Sequence, residues 1–404
     1  MIARDEKLYT WPDRGDKIRA HHLLKHLSTL APVHVGCFAE TDKDFAAEPE
    51  LASIAASHCL VRRSKPLVLA GAEAVLAGKP VSLTAFHSRA LAGWVARTIA
   101  ERDIATVFVF SGQMGQYIPE SFDGRVVVDL CDVDSVKFED YADAGERVWL
   151  NHREGRLLAE EEERLAHRAH TTLLISENER NVFLPRLRHA AETRVLAIGN
   201  GIDAGFFDPA KVTPHAQISE RPGPHFVFTG QMDYRPNEVA ACWTIEQFLP
   251  VMRAQHPSAE FHVVGRNPTE RLLALKDRAG VTVWGEVADV RPFLAAADMA
   301  ITPLTIARGV QNKVLEAMAM QLPVMLTPEA ATGIDAVDGE DWLVDNADGP
   351  AMVARFDTFW GDPAKREEMA RSARRFVLDH HSWPAMLAPL DDMVFTGEAS
   401  RHAA

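Results

Sequence analysis

Short apolar runs alternate with longer amphipathic stretches along most of the chain, and this alternation predicts its secondary structure. Several of the runs, such as residues 126–130, are almost continuously apolar, which is typical of strands buried on both faces of a parallel sheet. Stretches such as 88–103 and 237–255 have the spacing of helices. The predicted fold class is therefore α/β, with doubly wound parallel sheets. The predicted strands are 33–38, 105–110, 125–130, 171–176, 194–198, 225–230, 260–265, 281–285, 299–304 and 322–327.

One segment interrupts the alternation near the middle of the chain. Residues 206–224 contain four prolines and no amphipathic period, which predicts a linker between two domains. The first domain then covers residues 1–205, and the second begins at residue 225. In doubly wound sheets ligands bind outside the carboxyl ends of the strands, so we expect the functional site in a cleft between the two domains.

Composition and charge exclude several classes of protein. Hydrophobic residues make up 47% of the 404 residues and charged residues 25%, which is typical of a soluble globular protein. The formal net charge of −14 argues against a dedicated nucleic-acid binder. No apolar run is long enough for a transmembrane helix, and the charged start is unlike a signal peptide. The four dispersed cysteines show no zinc-site or disulfide spacing, so we expect a cytoplasmic protein.

The segment 306–323 is the most informative about chemistry. It predicts a strand, a loop with Arg308 and Gly309, and a helix that begins near Gln311 or Asn312, with Asn312 as the candidate N-cap. The free N–H groups at such a helix end favour a phosphate or diphosphate. One turn later, Glu316 could accept hydrogen bonds from two ribose hydroxyls. The alternative is a surface helix whose Glu and Lys are simply solvated.

Six blocks of sequence, in order, resemble glycosyltransferase family 4, whose members have the GT-B fold of two Rossmann-like domains. WPDRGDKIR and ARGVQNKVLEAMAM, together with VDLCDVDS, resemble the sugar transferases associated with exopolysaccharide and exosortase gene clusters. HSWPAML resembles the family's C-terminal helix, which predicts that 225–378 form the donor domain and 379–404 cross back to the first. The resembling blocks are 11–27, 200–209, 228–241, 263–268, 284–304 and 315–334, with the tail block at 381–387.

This resemblance implies retaining transfer of a sugar from a nucleotide diphosphate-sugar to a saccharide or a lipid-linked saccharide acceptor. Family members need no metal ion, so we expect no metal and no cofactor other than the nucleotide-sugar co-substrate. The acceptor would be used in exopolysaccharide or other cell-surface glycan synthesis, with peripheral contact to the inner membrane left open. The implied donor-binding residues are Gly15, Gly230, Gly265, Arg266, Gly285, Val287, Gly309, Val310, Gln311, Asn312 and Glu316.

Two departures from the family pattern affect the donor site. Glu316 matches the second glutamate of the family's pair separated by seven residues, but the first falls at Arg308, which cannot accept hydrogen bonds from sugar hydroxyls. Arg308 could instead contact the diphosphate or an acidic sugar, or it could point away from the donor. The family commonly places an Arg and a Lys after the glycine at 230, whereas here only Arg235 is nearby. We therefore expect Arg235 and Lys313 to neutralise the leaving diphosphate. The alternative for Arg235 is a solvated loop cation.

Further departures affect the first domain. The family often has a His-Asp pair where Cys131 and Asp132 stand, so Asp129, Asp132 and Asp134 are candidates for contacting the acceptor or the sugar. Asp132 and Asp134 also form an Asp-x-Asp pattern, for which no partner metal ligands are evident. In the family, a buried central strand usually precedes the glycine loop. The opening residues 1–10 are too polar to form such a strand. That loop would bring Gly15 close to the donor phosphate.

A basic helix follows the glycine loop. Lys17 and Arg19 are candidate acceptor-binding residues, and with His21, His22, Lys25 and His26 they could bind an anionic polyprenyl-diphosphate saccharide. A solvated helix face is the alternative. Competing functions are a nucleotide-sugar 2-epimerase on the same fold and a non-catalytic nucleotide-sugar-binding subunit. A nicotinamide dehydrogenase is disfavoured because Gly-x-Gly-x-x-Ala at 199–204 does not open a predicted helix.

Overall fold

The chain forms two compact units, each built on one parallel sheet. The structure, a computed structural model, describes residues 2–3, 15–307 and 309–395, and it describes side chains from residue 18 onward, Arg308 and the tail after 395 excepted. The first unit holds the chain up to Asn200 together with the segment from Met386, and the second unit is Gly201–Ala385. Residues 206–224, predicted as a linker, therefore belong to the second unit, where His215 N–H donates to the Pro292 carbonyl at 2.9 Å.

The first unit has a seven-stranded parallel sheet with the order β3-β2-β1-β4-β5-β6-β7. Its interior is packed with apolar side chains from both faces of the sheet, as the continuous apolar runs predict. Its elements are β1 (Ile2–Ala3), α1 (Gly15–Leu30), β2 (His34–Ala39), α2 (Asp42–Ala46), α3 (Glu48–Ile54), β3 (Ser57–Arg62), α4 (Leu67–Ala77), α5 (Val81–Ala85), α6 (Arg89–Glu101), β4 (Thr106–Phe110), β5 (Arg125–Cys131), α7 (Asp134–Asp143), α8 (Val148–Arg168), β6 (Thr171–Leu174), α9 (Glu177–Phe183) and β7 (Val195–Ala197).

The second unit has a six-stranded parallel sheet with the order β10-β9-β8-β11-β12-β13. A separate apolar core fills it. Its elements are α10 (Ala216–Ser219), β8 (His225–Thr229), α11 (Arg235–Trp243), α12 (Leu249–Gln255), β9 (Glu260–Val264), α13 (Glu270–Leu273), β10 (Val281–Gly285), α14 (Arg291–Ala296), β11 (Met299–Thr302), α15 (Asn312–Ala319), β12 (Val324–Leu326), β13 (Leu343–Val344), α16 (Gly349–Trp360) and α17 (Pro363–Phe376). The helices α18 (Trp383–Leu387) and α19 (Leu390–Val394) follow.

Both sheets are doubly wound, which confirms the predicted fold class. In each sheet the strand order reverses beside its first strand, between β1 and β4 and between β8 and β11. The loops that leave the carboxyl ends of strands on either side of such a point separate and form a crevice, the usual place for a ligand. In the second unit the loop before α15 leaves β11 at this point.

The prediction about the start of the chain is wrong in one respect. Ile2–Ala3 forms a central strand, because Ile2 is in register with both Gly36 and Val109. Two residues suffice here since β2 and β4 provide hydrogen-bonding edges on both sides. The polar residues that made the segment unlike a strand lie beyond this pair.

Candidate functional site

The loop after β11 leads into α15, the helix singled out by the sequence. The N-cap is Gln311, not Asn312, and its side chain caps none of the first N–H groups. It donates instead to the Gly309 carbonyl at 3.0 Å. Since the first N–H groups of a helix have no acceptor within the helix, this end favours an anion, and it lies next to the switch point of the sheet.

Lys313 lies in the first turn of α15 and is half-buried. Its ammonium group donates to Asn237 Oδ1 and lies 4.5 Å from the centre of the Phe228 ring. Burial lowers the pKa of Lys313 to about 8, and the nearby Glu316 offsets only part of that effect. An anionic ligand would stabilise this cation further, in addition to its contacts with the Asn237 amide oxygen and the Phe228 ring.

Glu316 lies one turn after Lys313 on the same helix. Burial raises the pKa of Glu316 to about 7, with Lys313 acting in the opposite direction. Within the described residues its carboxylate has no hydrogen-bond partner. A half-buried carboxylate without donors is poised to accept hydrogen bonds from ligand hydroxyls, which would favour its ionised form.

Three glycines line the carboxyl ends of β8, β9 and β10. Gly230 N–H donates to the Val264 carbonyl at 3.1 Å, and Gly265 N–H donates to the Gly285 carbonyl at 2.8 Å. A Cβ on Gly265 would lie 1.6 Å from the Gly230 carbonyl oxygen, and one on Gly230 would lie 3.1 Å from Lys313 Nζ. Glycine at both positions therefore lets the two strand ends close up beneath Lys313.

The other predicted donor-site residues are placed less closely together. Arg235 is exposed in the first turn of α11, and Arg266 is exposed and donates to Gln231 Oε1 at 2.9 Å. Val287 is half-buried against the core, and Val310 is exposed. Asn312 is exposed in the first turn of α15, and Gly309 has a positive φ of 69°. Arg308 lies outside the described residues.

Asn237 is a residue of this site that sequence reasoning missed. It is buried in the first turn of α11, and its amide donates to the Gln231 carbonyl at 2.9 Å while its oxygen accepts from Lys313. It therefore ties the loop after β8 to the start of α15. The available signal was its position one turn into the helix that follows the glycine at 230.

In the first unit, Asp129 and Arg19 form a fully buried ion pair. Arg19 Nε donates to Asp129 Oδ2 at 2.8 Å, and its Nη1 contacts the Gly199 carbonyl and Asn200 Oδ1, each at 3.3 Å. Arg19 Nη2 is buried without a hydrogen-bond partner among the described residues. The two side chains hold α1 against the end of β5, so Arg19 does not lie on the exposed face of α1 as the sequence suggested.

Asp132 and Asp134 follow the same strand. Asp132 is exposed, yet partial desolvation and its neighbours Glu179 and Asp134 raise its pKa. Asp134 accepts a hydrogen bond from the buried Gln113 amide at 2.8 Å. Cys131 has a positive φ of 66°, and Ser111, at the end of β4, has one of 73°. Such strained positions for non-glycine residues concentrate at functional sites.

The remaining candidates lie on α1. Gly15 is its first residue, and the side chain of Lys17 lies outside the described part. Lys25 is exposed, whereas His26 is hydrogen-bonded to Asp391 at 2.8 Å. His21 and His22 pack edge to face.

One group of possible metal ligands occurs in the described residues, at the amino ends of β8 and β9. It consists of His225, Glu260 and His262. His225 Nδ1 and His262 Nε2 share a hydrogen bond of 3.1 Å, and Trp284 Nε1 lies 3.4 Å from His262 Nδ1. This chain of hydrogen bonds explains the closeness of the two imidazoles. It lies at the sheet edge opposite to Gly230 and Lys313.

Residues 223–362 match the family described as "Glycosyl transferases group 1". No curated protein matches the chain. Similar solved structures include HepE from Anabaena in complex with UDP and glucose, with 14% identity, 97% and 98% of the two chains covered, and a TM-score of 0.57. A glycosyltransferase from Rickettsia africae has 14% identity, coverage of 100% and 98%, and a TM-score of 0.59.

Sucrose-phosphate synthase from Thermosynechococcus elongatus is a third similar structure, with 17% identity, 97% of both chains covered and a TM-score of 0.57. At these identities the likenesses establish the fold, which is GT-B with two Rossmann-like domains. The matched domain contains Lys313, Glu316 and all three strand-end glycines. With a group 1 glycosyltransferase domain on this fold, the protein is a glycosyltransferase.

Proposed function

We propose that the protein is a retaining, metal-independent enzyme that transfers a sugar from a UDP-sugar to a saccharide or lipid-linked saccharide acceptor. The acceptor belongs to exopolysaccharide or surface-glycan synthesis, as in the family 4 enzymes of exosortase-associated clusters that the sequence resembles. The observation that carries the proposal is the half-buried pair Lys313 and Glu316, one turn apart beside the strand-end glycines. UDP is the proposed nucleotide because HepE is described in complex with UDP.

The diphosphate binds at the first turn of α15. Lys313 supplies a cation there, and the free N–H groups of the helix supply further donors. Arg235, exposed in the first turn of α11, adds a second cation from solvent as the donor binds. These groups stabilise the negative charge that develops on the departing diphosphate, which is the role a metal ion has in other transferases.

Glu316 binds the ribose. Its carboxylate accepts hydrogen bonds from the two neighbouring hydroxyl groups, which are charge-assisted and short in a half-buried place. The Lys313 side chain, on the same face of α15, holds the diphosphate one turn away. The spacing of the two residues thus fits a nucleoside diphosphate better than a free phosphate.

The transfer step needs no nucleophile from the protein. The acceptor hydroxyl oxygen bonds to the anomeric carbon from the face that the diphosphate leaves, and the bond from that carbon to the phosphate oxygen breaks. The electron pair of that bond goes to the diphosphate, and the acceptor proton passes to a departing phosphate oxygen. Attack and departure on one face retain the anomeric configuration.

Asp132 is the proposed acceptor-side carboxylate. The sequence singled out three aspartates. Asp129 forms a buried ion pair with Arg19, and Asp134 accepts a hydrogen bond from Gln113. Asp132, by contrast, is exposed to solvent. The raised pKa of Asp132 suits a hydrogen bond to an acceptor hydroxyl. Its substitution to Asn would raise KM for the acceptor more than KM for the donor.

The experiment is a transfer assay with radiolabelled UDP-sugars and with saccharide or lipid-linked saccharide acceptors, carried out in the presence of a chelator. We expect acceptor-dependent product that persists in the chelator and has the anomeric configuration of the donor. Isomerised nucleotide-sugar without acceptor would instead indicate an epimerase, and nucleotide binding without any turnover would indicate a non-catalytic subunit. Inverted products or a strict need for metal would contradict the proposed mechanism.

A further inference from the structure

The side-chain amide of Asn237 is oriented by two neighbours of opposite hydrogen-bonding type. Its Nδ2 donates to the Gln231 carbonyl at 2.9 Å, and its Oδ1 accepts from the Lys313 ammonium group. A carbonyl can only accept hydrogen bonds, and an ammonium group can only donate them. The reverse orientation of the amide would bring two acceptors together and two donors together. The amide oxygen of Asn237 therefore faces Lys313.

The place where Asn237 and Lys313 meet is tightly enclosed. Asn237 is buried in the first turn of α11. A Cβ on Gly230 would lie 2.8 Å from Asn237 Nδ2 and 3.1 Å from Lys313 Nζ. Glycine directly after β8 therefore leaves the space that the two side chains fill. Their contact fixes the ammonium group beside the carboxyl end of β8.

Both groups that hold the Lys313 ammonium group are uncharged. They are the Asn237 amide oxygen and the Phe228 ring, whose centre lies 4.5 Å from Nζ. In the part of the chain that the structure describes, Lys313 forms no ion pair, and Glu316 offsets only part of the effect of burial on its pKa. The buried Arg19 of the first unit is instead paired directly with a carboxylate. Lys313 is thus a cation with a fixed position and no bonded counter-charge.

We propose that Asn237 is a positioning residue for sugar transfer, which holds Lys313 at the diphosphate through a neutral oxygen and so leaves the charge of the cation available to the leaving group. A carboxylate at this position would hold the ammonium group but would also neutralise it and repel the diphosphate. An aliphatic side chain would leave the ammonium group without its acceptor. The proposal rests on the proposed function, because it takes a nucleoside diphosphate as the anion at Lys313.

The test compares Asn237→Asp and Asn237→Leu, two changes that nearly conserve size, with the wild-type protein. Calorimetry at pH 8 measures the affinity for UDP and for uridine, which carries no phosphate. Both variants are expected to bind UDP at least about tenfold more weakly, as for the loss of a charge-assisted contact. Their affinity for uridine is expected to equal that of the wild type, because Asn237 acts through the diphosphate alone.

The number of protons taken up on UDP binding distinguishes this role from a purely structural one. Near pH 8, wild-type Lys313 should take up about half a proton, because its pKa is about 8 in the free protein. In Asn237→Asp the new carboxylate raises the pKa of Lys313, so the uptake is expected to fall toward zero. In Asn237→Leu the lost acceptor lowers that pKa, so the uptake is expected to rise toward one proton. A disturbance of packing would not move the two variants in opposite directions.

The matched control is Gln255→Glu, which makes the same change from amide to carboxylate at the exposed last residue of α12. Since α12 leads into the amino end of β9, this residue lies at the sheet edge opposite to Gly230. Its affinity for UDP and its proton uptake are expected to equal those of the wild type.

Thermal unfolding without ligand shows whether each variant is folded. If one Asn237 variant does not fold, the direction of the change in proton uptake by the other decides. Wild-type affinity for UDP in both variants, or proton uptake that changes in the same direction in both, would overturn this proposal while the proposed function stands. Absence of UDP binding by the wild-type protein would overturn the proposed function as well.

Discussion

Lys313 and Glu316 lie one turn apart, and burial shifts their pKa values toward one another, to about 8 and about 7. Both shifts have the same cause, since each group is charged in a place poor in water. A bound UDP-sugar would supply an anion to one and hydroxyl donors to the other. Ligand binding should therefore favour the charged form of both residues.

We predict that binding of a UDP-sugar changes protonation with opposite signs at two pH values. Near pH 7, Glu316 is about half protonated when free and should release about half a proton on binding. Near pH 8, Lys313 should take up about half a proton. Calorimetry in buffers of different ionisation enthalpy measures both numbers. Glu316→Gln should abolish the release and Lys313→Met the uptake; unchanged proton numbers would contradict these roles.

A second prediction isolates the ribose contact. Wild-type protein should bind UDP about tenfold to a hundredfold more tightly than 2′-deoxy-UDP, because a charged acceptor loses one donor. Glu316→Gln should bind UDP about tenfold more weakly and discriminate little between the two ligands. Glu270→Gln, a surface change in α13, is the control. Full discrimination by Glu316→Gln would show that another group binds the ribose.

At the scale of elements, most of both sheets was predictable from sequence, because nearly continuous apolar runs mark strands buried on both faces. The exceptions are instructive. β3 is half-buried, as its residues Ser57–Arg62 show, and β1 and β13 are two residues each. None has an apolar run long enough to be recognised. Pairing with an existing neighbour, rather than local pattern, makes these segments strands.

The positions of candidate site residues could be predicted where the backbone decides them, but not where packing between distant segments does. Gly230 and Gly265 were expected from the family resemblance, and α15 begins at Asn312 as predicted, although the predicted N-cap was wrong. Asn237 and the burial of Arg19 against Asp129 depend on contacts between segments far apart in the chain, as the 2.8 Å ion pair across 110 residues shows. From sequence alone the basic face of α1 is interpreted as solvated, because the strand that packs against it is not known.

We predict that Gly265→Ala disrupts the donor site. The added Cβ would lie 1.6 Å from the Gly230 carbonyl oxygen, so the ends of β8 and β9 must separate. We expect a lower Tm and at least about tenfold weaker UDP binding, in line with strain of several kcal/mol. Gly71→Ala in α4 is the control. Its Cβ meets nothing within 4 Å, and it should stabilise the helix by about 0.5–1 kcal/mol. Unchanged UDP binding by Gly265→Ala would count against this site.

The buried pair gives a prediction about the first unit. Arg19→Met alone should destabilise it by about 3–5 kcal/mol, because the Asp129 carboxylate stays buried without its partner. The double change Arg19→Met with Asp129→Leu should restore much of that loss. Thermal unfolding followed by calorimetry compares the two. A double variant no more stable than Arg19→Met would indicate that the pair contributes more than mutual neutralisation.

At the scale of the whole molecule, we propose that the second unit binds the donor and the first unit binds the acceptor. The second unit carries the group 1 glycosyltransferase domain, with Lys313, Glu316 and the glycines at one sheet edge. The first unit carries Asp132. None of the described helices is long and apolar enough to span a membrane.

The central claim is that the carboxyl edge of the second sheet binds a nucleoside diphosphate without a metal ion. The most direct measurement is thermal unfolding with UDP, GDP, ADP, dTDP and NAD, each with magnesium and with a chelator. We predict that UDP raises the Tm equally in both conditions, since a ligand at about a hundred times its Kd adds about 2.7 kcal/mol to folding stability. An unchanged Tm with every diphosphate, a Tm shift that needs magnesium, or a Tm shift with NAD alone would contradict the account.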